Sequence, residues 1–137
     1  MNNGEYSCPF CTEINRDHII SESNHSLAIL DRYPVSYGHT LIILKRHCPD
    51  YFNLSKSEQR DLWNMVSEVQ ERMTITFKPD GFNVGINISE AAGQTVPHVH
   101  IHLIPRYHGD TEDPRGGIRH CIRGKGYYNA NLTRNDQ

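Results

Sequence analysis

Residues 98–102 read His-Val-His-Ile-His, and no other stretch limits the possible folds as tightly. Strict alternation of two side-chain classes is the mark of a strand, because successive side chains point to opposite faces. A helix would set His100 across the axis from His98 and His102. As a strand, the three imidazoles share one face at intervals of about 6.6 Å. Val99, Ile101 and Leu103 then enter the core from the other face. The fold must therefore contain a sheet with one apolar side and a row of ionisable rings opposite it.

The rest of the chain supplies such a sheet. Ile19 and Ile20, then Ser26 to Leu30, read as two short strands in a hairpin around Ser23-Asn24. Tyr33 to Gly38 is a loop punctuated by proline and glycine. Thr40 to Leu44 is an apolar, β-branched run and predicts a buried strand. Ser55-Lys56-Ser57-Glu58 fits a capping box. Leu62, Met65, Val66, Val69 and Met73 follow at helical spacing, giving an amphipathic helix of about five turns that ends before Lys78-Pro79-Asp80-Gly81. Phe82 to Ile88 and Val99 to Ile104 are the remaining strands. From Pro105 onward the chain reads as irregular. Strands, one long helix, then strands indicate an α+β fold with an antiparallel sheet.

At 137 residues this is a single domain, residues 1–137, with a core over about 5–107 and an irregular tail over 108–137. The hydrophobic share is 36% and the charged share 22%, a balance that fits a globular chain. A net charge of −2 provides no basic field for nucleic acid. The longest apolar runs, such as Leu41 to Leu44, cannot span a membrane. Met1 to Tyr6 is polar and carries no apolar signal region, so a cytoplasmic location is expected. In that compartment Cys8-Pro9-Phe10-Cys11 reads as a metal or redox pair rather than a disulfide. No βαβ unit surrounds it, which argues against thioredoxin-like chemistry. Cys48 and Cys121 read as ordinary thiols.

Two chemistries suit the histidine row. One metal cannot hold all three rings, since they span roughly 13 Å and zinc–nitrogen bonds are about 2.0–2.1 Å. A metal-dependent hydrolase would need ligands from elsewhere beside His100 and His102. The alternative is covalent catalysis, in which a neutral imidazole attacks phosphorus while its other nitrogen holds a proton. The Gly93-Gln94-Thr95 run before the strand suits this second reading, because its donors could hold phosphate oxygens.

The run from Gly93 through Ile104, Gly-Gln-Thr-Val-Pro-His-Val-His-Ile-His-Leu-Ile, resembles the signature of the histidine-triad (HIT) family, and the likeness extends from Cys8 to about Arg106. The resemblance implies a HIT-like antiparallel sheet, a two-fold homodimer with sheets joined across the interface, and a small-molecule nucleotide substrate. It implies that His100 is the nucleophile and forms a nucleotidyl-histidine. His102 would donate to substrate phosphate, and His39 would complete the catalytic set. Asp31 would bind ribose hydroxyls, and Asn87, Gln94 and Thr95 would contact phosphate or ribose. Arg32 has positional support alone.

If strand 40–46 lies antiparallel to 98–104, His47 meets His98 and His39 meets His102. With the resemblance to HIT proteins that carry an N-terminal C-x-x-C, this implies structural zinc at Cys8, Cys11, His47 and His98, with no metal needed for catalysis. Asp31 is similar to the nucleoside phosphoramidase branch. Gln94-Thr95-Val96 and Ile104-Pro105-Arg106 look more like dinucleoside polyphosphate hydrolases. Arg106, Arg115, Arg119, Arg123 and Lys125, with Tyr107, Tyr127 and Tyr128, could cover a second nucleotide. A nucleotide-binding regulator without turnover stays open as a further alternative.

Overall fold

A computed structural model describes residues 7–128. They belong to two compact units that part after Tyr107. The first opens with a four-residue helix, α1 (Pro9–Thr12), whose first residue is the proline that suits such a position. Strands β1 (Ile19–Glu22), β2 (Ser26–Leu30) and β3 (Thr40–Leu44) follow, then helix α2 (Lys56–Phe77), strand β4 (Gly81–Gly85) and strand β5 (His100–Arg106). The strands form one sheet in the order β1-β2-β3-β5-β4. Every neighbouring pair is antiparallel.

The sheet is α+β as expected, with adjustments at its ends. β4 stops at Gly85 rather than Ile88, because Gly85 opposite His102 is its last paired residue. β5 begins at His100, so that His98 and Val99 precede it instead of lying on it, and it runs on to Arg106, since Gly81 and Phe82 pair with Arg106 and Pro105. Pro105 is tolerated there although it cannot donate to the ladder. Helix α2, at 22 residues, is about a turn longer than its apolar spacing suggests.

Period two sorts the side chains between two layers. Ala28, Ile42, Leu44, Val99, Ile101 and Leu103 pack against Leu62, Met65, Val66, Val69 and Met73 of α2. On the opposite face Leu27, Leu41 and Ile43 are covered by Phe10, Ile14, Ile19 and Ile29. β3 is therefore buried on both faces along its whole length, which is why its sequence after Thr40 is continuously apolar rather than alternating.

Polar ties hold the helix to the sheet. The Ser55 hydroxyl accepts from the Glu58 amide and the Glu58 carboxylate accepts from the Ser55 amide, completing the capping box. The same carboxylate takes two bonds from the Arg46 guanidinium, at 2.6 and 3.0 Å. That pairing is the main reason the Glu58 carboxyl is held down at about 2. The Ser23 and Ser26 hydroxyls both donate to Asp61 and pin the β1–β2 turn to α2.

The second unit, from His108, contains a short 3₁₀ turn at Gly117–Cys121. Its charges and rings engage one another. Arg115 pairs with Asp113 at 2.8 Å, and Arg119 lies over the Tyr128 ring at 4.3 Å. Residues 129–137 of the expected tail, and Met1 to Tyr6, lie outside the described residues. Among the described residues no helix is long and apolar enough to cross a membrane.

Candidate active site and metal centre

The β3–β5 register sets the site. Leu41 lies opposite His102 and Ile43 opposite His100, so the two strands bring their histidines together at opposite ends. His39, one residue before β3, comes within 3.0 Å of His102. His47, past its other end, comes within 3.3 Å of His98. His39, His98 and His100 are buried. Burial is also the leading cause that lowers the affinity of His39, His98, His100 and His102 for a second ring proton. All four are therefore neutral at pH 7, and each has one protonated nitrogen and one lone pair.

Main-chain groups decide which nitrogen is which. His98 Nε2 stands 2.6 Å from the Leu44 carbonyl oxygen. A carbonyl can only accept, so Nε2 carries the proton and Nδ1 keeps its lone pair. His100 Nδ1 stands 2.8 Å from the His98 carbonyl oxygen, so here Nδ1 carries the proton and Nε2 is bare. His39 is set the other way. Its Nδ1 accepts from the Val35 amide at 3.1 Å, which leaves the proton on Nε2. That proton faces His102 Nδ1 at 3.0 Å and Asp31 Oδ2 at 3.4 Å. With His102 Nδ1 accepting, its own proton is on Nε2. This end of the row thus offers a bare nitrogen on His100 and a proton donor on His102.

The other end is arranged for a cation. His98 Nδ1 lies 3.4 Å from Cys8 Sγ and 3.5 Å from Cys11 Sγ. His47 Nδ1 lies 3.3 Å from Cys11 Sγ. The four ligand atoms lie within 4.8 Å of one another. Zinc–nitrogen bonds of about 2.0–2.1 Å and zinc–sulfur bonds near 2.3 Å require tetrahedral edges of about 3.3–3.8 Å. The donor set fits, and the Leu44 carbonyl behind His98 is the kind of outer contact that fixes a ligand's tautomer. All four cysteines are free of disulfides.

A second cluster, Asp31, His39 and His102, also has three ligand atoms in close reach. Its chemistry differs. The Val35 amide occupies His39 Nδ1 and so places a proton where a metal would need a lone pair. This cluster is arranged to pass a hydrogen bond, whereas the cysteine cluster is arranged to hold an ion.

The remaining expected contacts fall unevenly. Asp31 stands beside His39, and its Oδ1 also accepts from the Tyr33 amide at 2.8 Å, so it serves the turn as well. Arg32, Asn87 and Thr95 are exposed. Gln94 is occupied within the chain. Its carbonyl accepts from the Ser89 amide at 2.8 Å, and its amide donates to the Pro49 and Val96 carbonyls at 2.9 and 3.1 Å. It braces a turn in which Ser89 has φ 75° and ψ 160°, a conformation found almost only at glycine. Two contributors escaped the sequence reading. The Val35 amide has no side-chain signature. Phe10 sits edge-on to His100 with ring centres 5.0 Å apart, and its only signal was an aromatic residue inside the C-x-x-C.

Fold and site together define an α+β protein with a histidine row on an inner strand and a cysteine–histidine centre at one end of it. The chain belongs to the HIT domain family, whose model matches residues 12–109. An uncharacterized HIT-like protein of Mycoplasma genitalium is 33% identical over 131 residues, covering 93% of this chain and 83% of the relative. A bis(5'-adenosyl)-triphosphatase of Dictyostelium discoideum is 37% identical over 100 residues, covering 73% of this chain and 67% of the relative. The crystal structure of a zinc-bound histidine triad family protein from Mycobacterium smegmatis superposes with a TM-score of 0.70 at 33% identity, covering 78% of this chain and 80% of the other.

Proposed function

We propose that the protein is a nucleotide hydrolase or transferase that works through a nucleotidyl-histidine on His100, with a nucleoside phosphoramidate or dinucleoside polyphosphate as substrate. The observation that carries this reading is the hydrogen bond from His100 Nδ1 to the His98 carbonyl at 2.8 Å. It aims a bare Nε2 out of the sheet and stabilises the positive charge that the ring acquires on attack. The Nε2 lone pair forms a bond to the α-phosphorus, and the bond to the leaving group breaks with its electrons. His102 Nε2–H donates to a phosphate oxygen or to the departing atom. Water then attacks the phosphorus, the phosphorus–nitrogen bond breaks, and a nucleoside monophosphate leaves with the imidazole restored.

His39 orients His102, and Asp31 is the group suited to vicinal ribose hydroxyls. Arg32, Asn87, Gln94 and Thr95 are assigned to the substrate's sugar and phosphates, with Gln94 acting by holding its loop. The phosphohydrolase named among the relatives supports the polyphosphate branch, and Asp31 supports the phosphoramidate branch. Zinc at Cys8, Cys11, His47 and His98 is structural in this reading, since four protein ligands leave no open position. The same reading takes 5–107 as the HIT core in a cytoplasmic homodimer, for which the outermost strand β4 offers the joining edge.

The test is intact mass, read at neutral or basic pH to protect the phosphorus–nitrogen bond, after separate incubation with an adenosine phosphoramidate and a diadenosine polyphosphate. A nucleotide adduct on the wild type and none on His100→Ala is expected, and the faster substrate identifies the branch. A folded, metal-loaded wild type with no adduct and no turnover on either would overturn the covalent mechanism in favour of nucleotide binding without turnover.

A further inference from the structure

Phe10 lies between the two cysteines of the metal centre, yet its ring points at the nucleophile. The centre of the ring is 5.0 Å from His100 and 5.8 Å from His98, at interplanar angles of 75° and 86°. It belongs to the apolar cover of the histidine face, with Leu27, Leu41, Ile43 and Ile14. The turn that carries it is short and well tied. The Cys11 and Thr12 amides both donate to the Cys8 carbonyl, at 3.1 and 3.2 Å, and the Thr12 hydroxyl donates to the same oxygen at 2.9 Å. Pro9 removes a torsional freedom immediately before Phe10.

His98 joins the same two sites from the strand side. Its ring turns Nδ1 to the cysteines, and its carbonyl accepts from His100 Nδ1. One residue therefore serves the cation with its side chain and the nucleophile with its main chain. Fixing Cys8, Cys11 and His98 in one cluster fixes both the wall of the His100 ring and the acceptor behind it.

We infer that the Cys8–Cys11 turn is a positioning device for the nucleophile, in which Phe10 walls the His100 imidazole and keeps its Nδ1–H on the His98 carbonyl. Phe10 touches no reacting atom; it acts through His100. Without the ring, water reaches the Nδ1–H bond and the imidazole can turn about its last torsion. A turned ring presents a carbon to the carbonyl and misaims Nε2. Misplacement of about 1 Å at a reacting group can cost on the order of a hundredfold in rate.

The inference rests on the proposed chemistry for its meaning but is tested apart from it. Zinc-loaded full-length wild type, Phe10→Ala and Phe10→Leu would be compared by nitrogen-15 spectra of their histidine rings, by bound zinc, and by kcat and KM. In the wild type His100 should give one sharp Nδ1–H tautomer. In Phe10→Ala that signal should broaden or split while one zinc per chain is retained and His98 keeps its own tautomer. Turnover should show kcat down about tenfold or more with KM within about twofold, and Phe10→Leu should restore most of both. An unchanged, single His100 tautomer in Phe10→Ala would overturn the inference whatever the kinetics. Should the alanine variant not fold, Phe10→Val, whose side chain is too short to wall the ring, carries the comparison, and a His100 signal identical to the wild type in that variant would overturn it equally. Absence of any adduct in the wild type would bear on the proposed function alone, since the ring spectra need no substrate.

Discussion

At the scale of single residues, the site is a set of decisions about where ring protons sit. His39 is the clearest case, because the Val35 amide gives its Nδ1 a partner and turns its Nε2–H towards His102. His39→Phe keeps a planar ring and removes the donor, so His102 becomes free to invert its tautomer. We expect kcat to fall and KM to hold. The fall should be smaller than the roughly 10²–10³-fold loss expected when His102→Ala removes the proposed phosphate donor. Steady-state kinetics on both variants decide the matter, and a His39→Phe protein with wild-type kcat would show that the His39–His102 hydrogen bond is dispensable. The histidine row was readable from sequence because alternation fixes the face, and the register of two apolar runs fixes which histidines meet. The Val35 amide was not, because a loop's path, unlike a strand's, is written in no periodic pattern. Gln94 shows the same limit: its residue type suggested a phosphate donor, while the Ser89 amide engages its side-chain carbonyl and the Pro49 and Val96 carbonyls engage its side-chain NH2.

At the scale of elements, α2 and the loop before β3 carry the consequences. The capping box was legible as Ser-x-x-Glu, but the bonds from Arg46 to Glu58 depend on a strand end meeting a helix start and had no local sign. Ser55→Ala should cost about 1 kcal/mol in chemical denaturation. Gly38 has φ +86°, and a Cβ there would meet the Phe77 ring at 2.9 Å. Gly38→Ala should therefore cost more than Ser55→Ala, with about 1–2 kcal/mol from the left-handed backbone alone and a further contribution from moving the ring at the end of α2. Since His39 follows directly, the same variant should lower kcat. A Gly38→Ala protein as stable and as active as the wild type would contradict this packing. β4 was anticipated three residues too long because Ile86 and Ile88 look like strand residues. Pairing with β5 ends opposite His102, and apolar sequence cannot extend a ladder that has no partner.

For the molecule as a whole, acid and chelation should act in separable ways. Burial holds the proton affinities of His39 and His102 below the ordinary value of 6.5. The unfolded chain therefore takes up protons at these sites before the folded one does. Their contribution to stability is complete above pH 6.5 and is lost as pH falls through the folded values. Glu58, held at about 2 against an ordinary 4.5, contributes fully above 4.5 and fails only towards 2. Melting temperature should thus decline from pH 7 to 5, and His39→Phe should show a shallower decline. Equal slopes would assign the decline elsewhere. The four candidate metal ligands come from three separate stretches of chain, at 8–11, 47 and 98, so a strong chelator at pH 7 should lower the melting temperature, and added zinc should restore it. Loss of turnover at an unchanged melting temperature would instead favour a metal with a direct role in the reaction. The protons of His39, His98 and His100 are addressed by an amide hydrogen and two carbonyl oxygens of the main chain. No side-chain change can delete a carbonyl, and proline alone deletes an amide hydrogen. A substitution scan should find Val35 and Leu44 permissive for this purpose, with proline at 35 the exception. A one-residue insertion between 31 and 39 should scramble the protonation pattern while leaving every histidine in place. Apart from Gly38, that loop is constrained by its length more than by its side chains.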